Sequence, residues 1–132
     1  MKRIARLFAL SAAVLLPISA AERPPSSPVG KWLRRAQRAS LAALCASEAA
    51  DTLSSYRDSH IAGLHETNGF YTPGGKFSIN RMIGVKSAIC GGFLVASHFT
   101  ARSEGGALAL TTAATALAVP TAYAAINNMR LK

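Results

Sequence analysis

The chain has 132 residues, of which 50% are hydrophobic and 16% charged. This balance excludes a disordered tail, and two cysteines are too few for a disulfide-dense secreted scaffold. Fifteen Lys and Arg residues against six acids give a net charge of +9. A basic chain that is also hydrophobic favours a lipid bilayer over nucleic acid as its partner. We therefore expect membrane association and no nucleic-acid binding.

The first 21 residues have the three parts of a secretory signal peptide. Three basic residues precede an apolar run over 7–18, and small residues follow up to Ala21. The run of about 12 residues is shorter than the roughly 20 that cross a bilayer. We predict a signal peptide over 1–21, cleaved after Ala21, that directs the chain to the bacterial cell membrane. An uncleaved N-terminal anchor is the alternative.

A linker and a basic helix face follow. Residues 22–30 contain three Pro and two Ser, which predicts a Pro/Ser-rich linker before a helical membrane domain over 31–132. Four basic residues then recur on one helix face beside a Trp, as in helices that lie against anionic headgroups. The predicted membrane-surface set is Lys31, Trp32, Arg34, Arg35 and Arg38. A solvated helix start is the alternative.

The first predicted span covers residues 39–56, a stretch without Gly or Pro. Glu48 and Asp51 lie three residues apart and therefore share a helix face. Each acid costs about 2.5–3.5 kcal/mol at the centre of a membrane, so this helix needs partners that cover its polar face. Lys86 is a conceivable counter-ion, although it lies near one end of its own helix. An interhelical polar contact and a proton, ion or substrate role are the two interpretations of these acids.

Residues 57–80 are predicted to form a loop. Pro73 and Gly74 suit the central positions of a type II turn, and Ser78 or Asn80 can cap the helix that follows. His60 and His65 are weak metal-ligand candidates, because their spacing of five does not place them on one helix face. We therefore predict no metal site.

The second predicted span, 82–101, carries small residues at every fourth position. This stripe consists of Gly84, Ala88, Gly92 and Ala96. Small residues at that spacing let another helix approach closely, either within the chain or in a homo-oligomer.

Cys45 and Cys90 fall inside predicted helices and are interpreted as small packing residues, not as a bridge.

The third predicted span, 107–126, contains twenty residues and no charge, which matches the thickness of a bilayer core. It has no polar face to present to water, which disfavours a soluble helical hairpin. The predicted fold is therefore all-α, a small helical membrane bundle with three spans after the signal peptide. Its orientation in the membrane stays open, because the positive charges on the two sides conflict.

No motif predicts catalysis. Gly74-Gly75-Lys76 lacks the first Gly and the Ser or Thr of a phosphate-binding loop. The sequence shows no Ser/His/Asp order, dinucleotide-binding glycines or Cys-x-x-Cys pair. We expect no catalytic residues and no cofactor, and an enzyme is the less favoured class.

Asp51-Thr52, Ser55 and the stretch 65–68 (His-Glu-Thr-Asn) resemble a group of small, uncharacterised bacterial multi-span membrane proteins. Those proteins have Asp-x-x-x-Thr on one helix and Glu-x-Asn-Pro before the next. Asp51, Glu66 and Asn68 match, Ser55 stands in for Thr, and Gly69 replaces the Pro. The resemblance implies a short multi-span membrane protein without an established activity. It also implies a polar cluster at the entry of the second helix.

The polar-cluster candidates are Glu48, Asp51, Glu66 and Asn68. The predicted function is that of a small integral membrane protein with a structural or interaction role in the bacterial cell envelope. One alternative is a membrane enzyme or transporter that uses an intramembrane acid and the His65-Glu66 loop. Another is a secreted, soluble helical protein.

Overall fold

The computed structural model describes residues 27–61, 70–100 and 103–130, and the regular structure in these ranges is entirely helical. The helices are α1 (Pro28–Asp58), α2 (Ile79–Thr100) and α3 (Glu104–Arg130), with a 3-10 turn at Pro73–Gly75. The all-α prediction is confirmed. The predicted signal peptide, 1–21, lies outside the described residues.

Helix α1 begins earlier than the sequence predicts. Ser27 caps it, because its Oγ accepts a hydrogen bond of 2.9 Å from the backbone N–H of Gly30. Pro28 occupies the first helical turn, where its missing N–H costs nothing. The linker prediction is therefore wrong for Pro28–Gly30. The 31 residues of α1 extend over about 46 Å.

The turn before α2 contains a glycine with a positive φ. Gly74 has a φ of +63°, and the N–H of Gly75 donates a 3.0 Å hydrogen bond to the carbonyl of Thr72. A positive φ at the third position favours Gly in a type II turn. Ser78 caps α2 by accepting a 3.4 Å hydrogen bond from the backbone N–H of Arg81.

Polar contacts at the two ends of the bundle give the helix directions. At the end that we call proximal, Ser27 Oγ donates to Glu104 Oε1 at 2.6 Å, which joins the starts of α1 and α3. At the opposite, distal end, Asn128 Nδ2 lies 3.4 and 3.3 Å from the hydroxyls of Ser54 and Ser55. Gln37 Nε2 donates to Thr100 Oγ1 at 3.2 Å and brings the last turn of α2 to the proximal end. Helices α1 and α3 therefore run parallel, and α2 runs antiparallel to both.

The helices pack through small side chains. The interior of the bundle is formed by Leu41, Leu44, Cys90, Leu94, Leu110, Ala114 and Ala118. Helix α3 contributes mainly alanines, and Ala114 is fully enclosed. Small residues allow backbones to approach closely, which agrees with the extensive contact between α1 and α3.

Over residues 39–56 of α1 the polar side chains face inward together with Leu41 and Leu44, and the exposed residues are all apolar. Between residues 39 and 56 the exposed positions are Ala39, Ala42, Ala43, Ala46 and Leu53. The buried positions of the same stretch include Ser47, Glu48, Asp51, Thr52, Ser54 and Ser55. A helix on the surface of a water-soluble protein has the reverse arrangement.

Helices α2 and α3 are long and apolar enough to cross a membrane. Only 28% of the apolar stretch of α2 and 17% of that of α3 is buried inside the bundle. The core helix of a soluble protein of this hydropathy is mostly buried, because its exposed apolar surface would otherwise meet water. The observed helices also extend beyond the predicted spans, α3 by three residues at its start and four at its end.

Gly106 and Gly105 at the start of α3 provide a matched pair for testing the proximal end. A Cβ at Gly106 would lie 2.8 Å from Ser103 Oγ and 3.0 Å from the carbonyl oxygen of Thr100, whereas a Cβ at Gly105 meets nothing within 4 Å. We expect Gly106→Ala to lower the free energy of unfolding by about 1–3 kcal/mol, because the overpacked turn must shift. Gly105→Ala should leave it unchanged or raise it slightly. Unfolding by SDS titration in detergent micelles measures both, and equal effects would contradict the close approach at Gly106.

Candidate functional site

A buried ion triad is the most distinctive polar feature of the bundle. Lys86 Nζ lies 2.6 Å from Glu48 Oε2 and 2.7 Å from Asp51 Oδ2. The side chains of Lys86, Glu48 and Asp51 are 7%, 6% and 12% exposed. We call these three residues the ion triad.

Helix geometry explains why the triad forms. Glu48 and Asp51 lie almost one turn apart on α1, so both carboxylates reach the same point on a neighbouring helix. Glu48 lies about 15 Å before the end of α1, and Lys86 about 10 Å after the start of α2. Because the end of α1 and the start of α2 lie at the same end of the bundle, these two levels lie within about one helical turn of each other. The interpretation of Lys86 as the counter-ion is confirmed.

Helix α3 and the loop before α2 complete the surroundings of the triad. Thr121 Oγ lies 3.4 Å from Glu48 Oε1, although its hydroxyl also donates to the closer carbonyl of Leu117 at 2.9 Å. The buried ring of Tyr71 has its centroid 5.8 Å from Lys86 Nζ, a distance at which an ammonium is attracted to an aromatic face. Each helix therefore contributes to the site.

The chemistry of the triad suits it to hold two helices together. Ion pairs removed from water hold their partners tightly only when the geometry satisfies the charges, and both short contacts do so here. With all three groups ionised, the triad carries one net negative charge. It joins α1 to α2.

A disulfide joins the same two helices close to the triad. Cys45 and Cys90 are bonded, with their Cα atoms 5.3 Å apart. The interpretation of these cysteines as packing residues is wrong, because α1 and α2 bring two helix-interior positions within bonding distance. Disulfides persist in oxidising compartments, which agrees with the predicted export signal.

The predicted small-residue stripe faces outward. Gly84, Ala88 and Gly92 are exposed, while Ala96 is half-buried against the core. The inward face of α2 carries Met82, Lys86, Cys90, Leu94 and Ser97. The two stripes are offset by two residues along the chain, which corresponds to about 200° around the helix and places them on opposite faces. The small stripe therefore does not join α2 to the rest of the bundle, and a contact with a second chain stays a prediction.

The remaining candidates of the loop are separated from the triad or lie outside the described residues. His60 Nδ1 lies 2.8 Å from the carbonyl oxygen of Tyr56, and its ring packs edge-on against that residue. His65, Glu66 and Asn68 belong to the stretch 62–69, which is outside the described residues. In the described ranges, no three His, Cys, Asp or Glu residues are grouped so that they could hold a metal ion.

The membrane-surface set lies at the proximal end, along the first turns of α1. Lys31, Trp32, Arg35 and Arg38 are exposed, and Trp32 retains 65% of its accessible surface. Arg34 differs from them because it is half-buried. The set is thus presented on the outside of the bundle at one end.

Compared with known proteins, the chain matches no family model, no curated protein and no solved structure.

Proposed function

We propose that this chain is an integral membrane protein of the bacterial cell envelope, with three spans and a structural or interaction role. The observation that carries the proposal is the distribution of charge. The segments 39–56, 82–97 and 105–129 contain three charged residues, and these are the members of the ion triad. The exterior of the bundle over these segments is uncharged.

The dimensions of the bundle support three spans. The uncharged outer face of α1 extends over 18 residues, or about 27 Å, close to the roughly 30 Å of a hydrocarbon core. Charged residues lie beyond both ends of this face, from Lys31 to Arg38 and at Arg57. Helix α1 crosses in this proposal because Lys86 contacts both of its acids and neutralises one of their two charges, which lowers the cost of inserting them.

A structural role is favoured over the two alternatives. In an enzyme or transporter, the intramembrane acids would need access to a substrate, whereas both carboxylates contact Lys86. In a secreted soluble protein, the exposed side chains of α3 would need to be polar. Those side chains include Leu108, Leu117, Val119, Tyr123 and Ile126.

The lipid bilayer is the proposed partner. Trp and basic residues are enriched at the level of the headgroups, where the proximal end with Trp32 would lie. The resemblance to small bacterial multi-span proteins supports the same class. The outward stripe of α2 offers a surface for a homo-oligomer or another helix.

Alkaline carbonate extraction of membranes from cells that make the full chain tests membrane integration. We expect the chain to remain in the membrane pellet, because the apolar exteriors of α2 and α3 are embedded in lipid. A soluble periplasmic protein in the same cells is the control and should be released. Release of the chain, followed by its purification as a monodisperse protein without detergent, would instead support the secreted alternative.

Labelling of introduced cysteines distinguishes three spans from two. Val29→Cys and Lys76→Cys place thiols at exposed positions in the first turn of α1 and in the loop after it, and the native cysteines are bonded to each other. If α1 crosses the membrane, a membrane-impermeant maleimide added to intact spheroplasts labels one of these variants and not the other. Labelling of both, or of neither, would place the two ends of α1 on one side and contradict three spans.

A further inference from the structure

Phe70 and Arg81 form a stacked pair on the outside of the distal end. The guanidinium carbon of Arg81 lies 4.8 Å from the centroid of the Phe70 ring. Both residues are exposed, and Phe70 retains 54% of its accessible surface. The attraction to the ring uses the positive charge of the guanidinium and none of its N–H donors. Arg81 can therefore bind a second partner while it stays on the ring.

The loop before α2 fixes the position of this pair. The backbone N–H of Ser78 donates a 2.8 Å hydrogen bond to the carbonyl of Tyr71, which closes the loop at its base. Tyr71 is buried beside Lys86, and the Phe70 ring packs edge-on against the Tyr71 ring with centroids 5.9 Å apart. Phe70 therefore contacts a buried ring and an exposed guanidinium at once, and it holds Arg81 in a defined place.

No carboxylate neutralises Arg81 in the ranges that the structure describes. Those ranges contain four acids, of which two belong to the ion triad. Asp58 lies 3.4 Å from Arg57, and Glu104 lies at the opposite, proximal end. The charge of Arg81 thus stands uncompensated by the described residues, at an exposed position that an external anion can reach.

The place of Arg81 on α2 defines the kind of anion. Arg81 directly precedes the segment 82–97, whose one charged residue is Lys86 of the ion triad. Helix spacing places Arg81 on the same face as the exposed Gly84 and Ala88, which in the proposed function meets lipid. Side chains of a helix tilt toward its N-terminus, here the distal end. The guanidinium therefore lies at the boundary between hydrocarbon and headgroups, the level of the phospholipid phosphates.

We infer that the Phe70–Arg81 pair binds the phosphate group of an anionic phospholipid at the distal surface of the membrane. This inference rests on the proposed function, because a lipid phosphate reaches the pair only when α2 crosses the bilayer. A guanidinium presents parallel N–H donors that match the oxygens of a phosphate. The exposed Lys76 and Arg130 belong to the same end of the bundle and attract the negative charge of the lipid.

Lipid binding to the purified full chain in detergent tests the pair. Dioleoyl phosphatidylglycerol is titrated into wild type and three variants, and bound lipid is counted by native mass spectrometry. We expect Arg81→Gln to weaken binding about ten-fold, the equivalent of one charge-assisted hydrogen bond. Phe70→Leu keeps every charge but removes the ring, and it should weaken binding about three-fold.

Arg130→Gln is the matched control. It makes the same substitution at an exposed position of the same end, at the last turn of α3, where no described ring contacts the guanidinium. It should weaken binding by less than about two-fold, because it removes general attraction alone. Since Phe70, Arg81 and Arg130 are all exposed, the unfolding midpoint in SDS should be the same for all three variants.

Four results would overturn the inference. Equal weakening by Arg81→Gln and Arg130→Gln would show general electrostatic attraction, and unchanged binding by Phe70→Leu would show that the ring does not position Arg81. Equal binding of dioleoyl phosphatidylcholine would remove the requirement for an anionic headgroup. Competition by millimolar inorganic phosphate would identify a free anion as the ligand instead of a lipid. Phe70→Leu also decides the matter if Arg81→Gln lowers the unfolding midpoint, because it leaves the guanidinium in place.

Carbonate extraction of the same variants separates this inference from the proposed function. A chain that stays in the membrane but binds the lipid equally well without Arg81 contradicts the lipid site alone. A wild-type chain that carbonate releases contradicts the proposed function, whatever its lipid binding in detergent.

Discussion

Replacement of Lys86 by Met is expected to lower the free energy of unfolding of the bundle by about 3–5 kcal/mol. The substitution leaves Glu48 and Asp51 buried, 6% and 12% exposed, without the ammonium that compensates them. Two carboxylates in a low-dielectric interior must then separate from the bundle, attract water or take up protons. Each outcome weakens the contact between α1 and α2. Loss of helical circular dichroism during SDS titration in micelles measures the change.

Two further variants show whether charge compensation is the cause. Lys76→Met makes the same substitution at an exposed loop position and should leave the unfolding midpoint unchanged. The triple variant Lys86→Met, Glu48→Gln, Asp51→Asn removes every charge of the triad and should recover most of the lost stability. If Lys86→Met were as stable as wild type, the triad would not hold α1 to α2. Failure of the triple variant to recover would show that the hydrogen bonds matter more than the charges.

Removal of the disulfide is expected to cause the second large loss in the free energy of unfolding. We expect the double variant Cys45→Ala, Cys90→Ala to lose about 2–4 kcal/mol, because the bond closes a long loop that otherwise gains freedom on unfolding. The two cysteines are separated by 45 residues. The lower part of this range applies if the bilayer or micelle keeps α1 and α2 helical after they separate.

Reduction of the wild type with dithiothreitol is the matched control for the double variant. It breaks the same bond without changing a side chain, so the two samples should unfold at similar SDS concentrations. A double variant as stable as the oxidised wild type would show that packing alone holds α1 and α2 together. A double variant much less stable than the reduced wild type would show that the thiols also fill space in the core, where Cys90 is buried.

The helices and their apolar character were predictable because long stretches rich in Ala, Leu and other apolar residues, with few charges, favour one structure. The start of α1 was not predicted, since Pro28 in a Pro-rich stretch indicates a linker unless Ser27 is identified as its cap. The face by which α2 packs within the bundle was not predicted either. Two stripes repeat every four residues on that helix, and the sequence does not show that Met82, Lys86 and Cys90 face inward.

The candidate site was also only partly predictable from the sequence. Glu48 and Asp51 were identifiable because acids in an apolar helix are costly and need a partner. Their pairing with Lys86 depended on where α1 ends and where α2 begins, two boundaries that sequence patterns place poorly. The disulfide was missed for a related reason: two cysteines inside helices become neighbours only through the relative position of those helices, and sequence spacing carries no information about it.

The links between α1 and α2 have a consequence for how specifically the bundle assembles. Three contacts between α1 and α2 require the same axial alignment of the two helices. They are Gln37 with Thr100, Cys45 with Cys90 and Glu48 with Lys86. A slip of one turn would place Lys86 beside Leu44 or Thr52 and would separate the cysteines. Apolar surfaces rich in alanine are nearly alike from one turn to the next, so van der Waals packing distinguishes such slips poorly. The polar and covalent links therefore select one alignment among several that the apolar surfaces would tolerate.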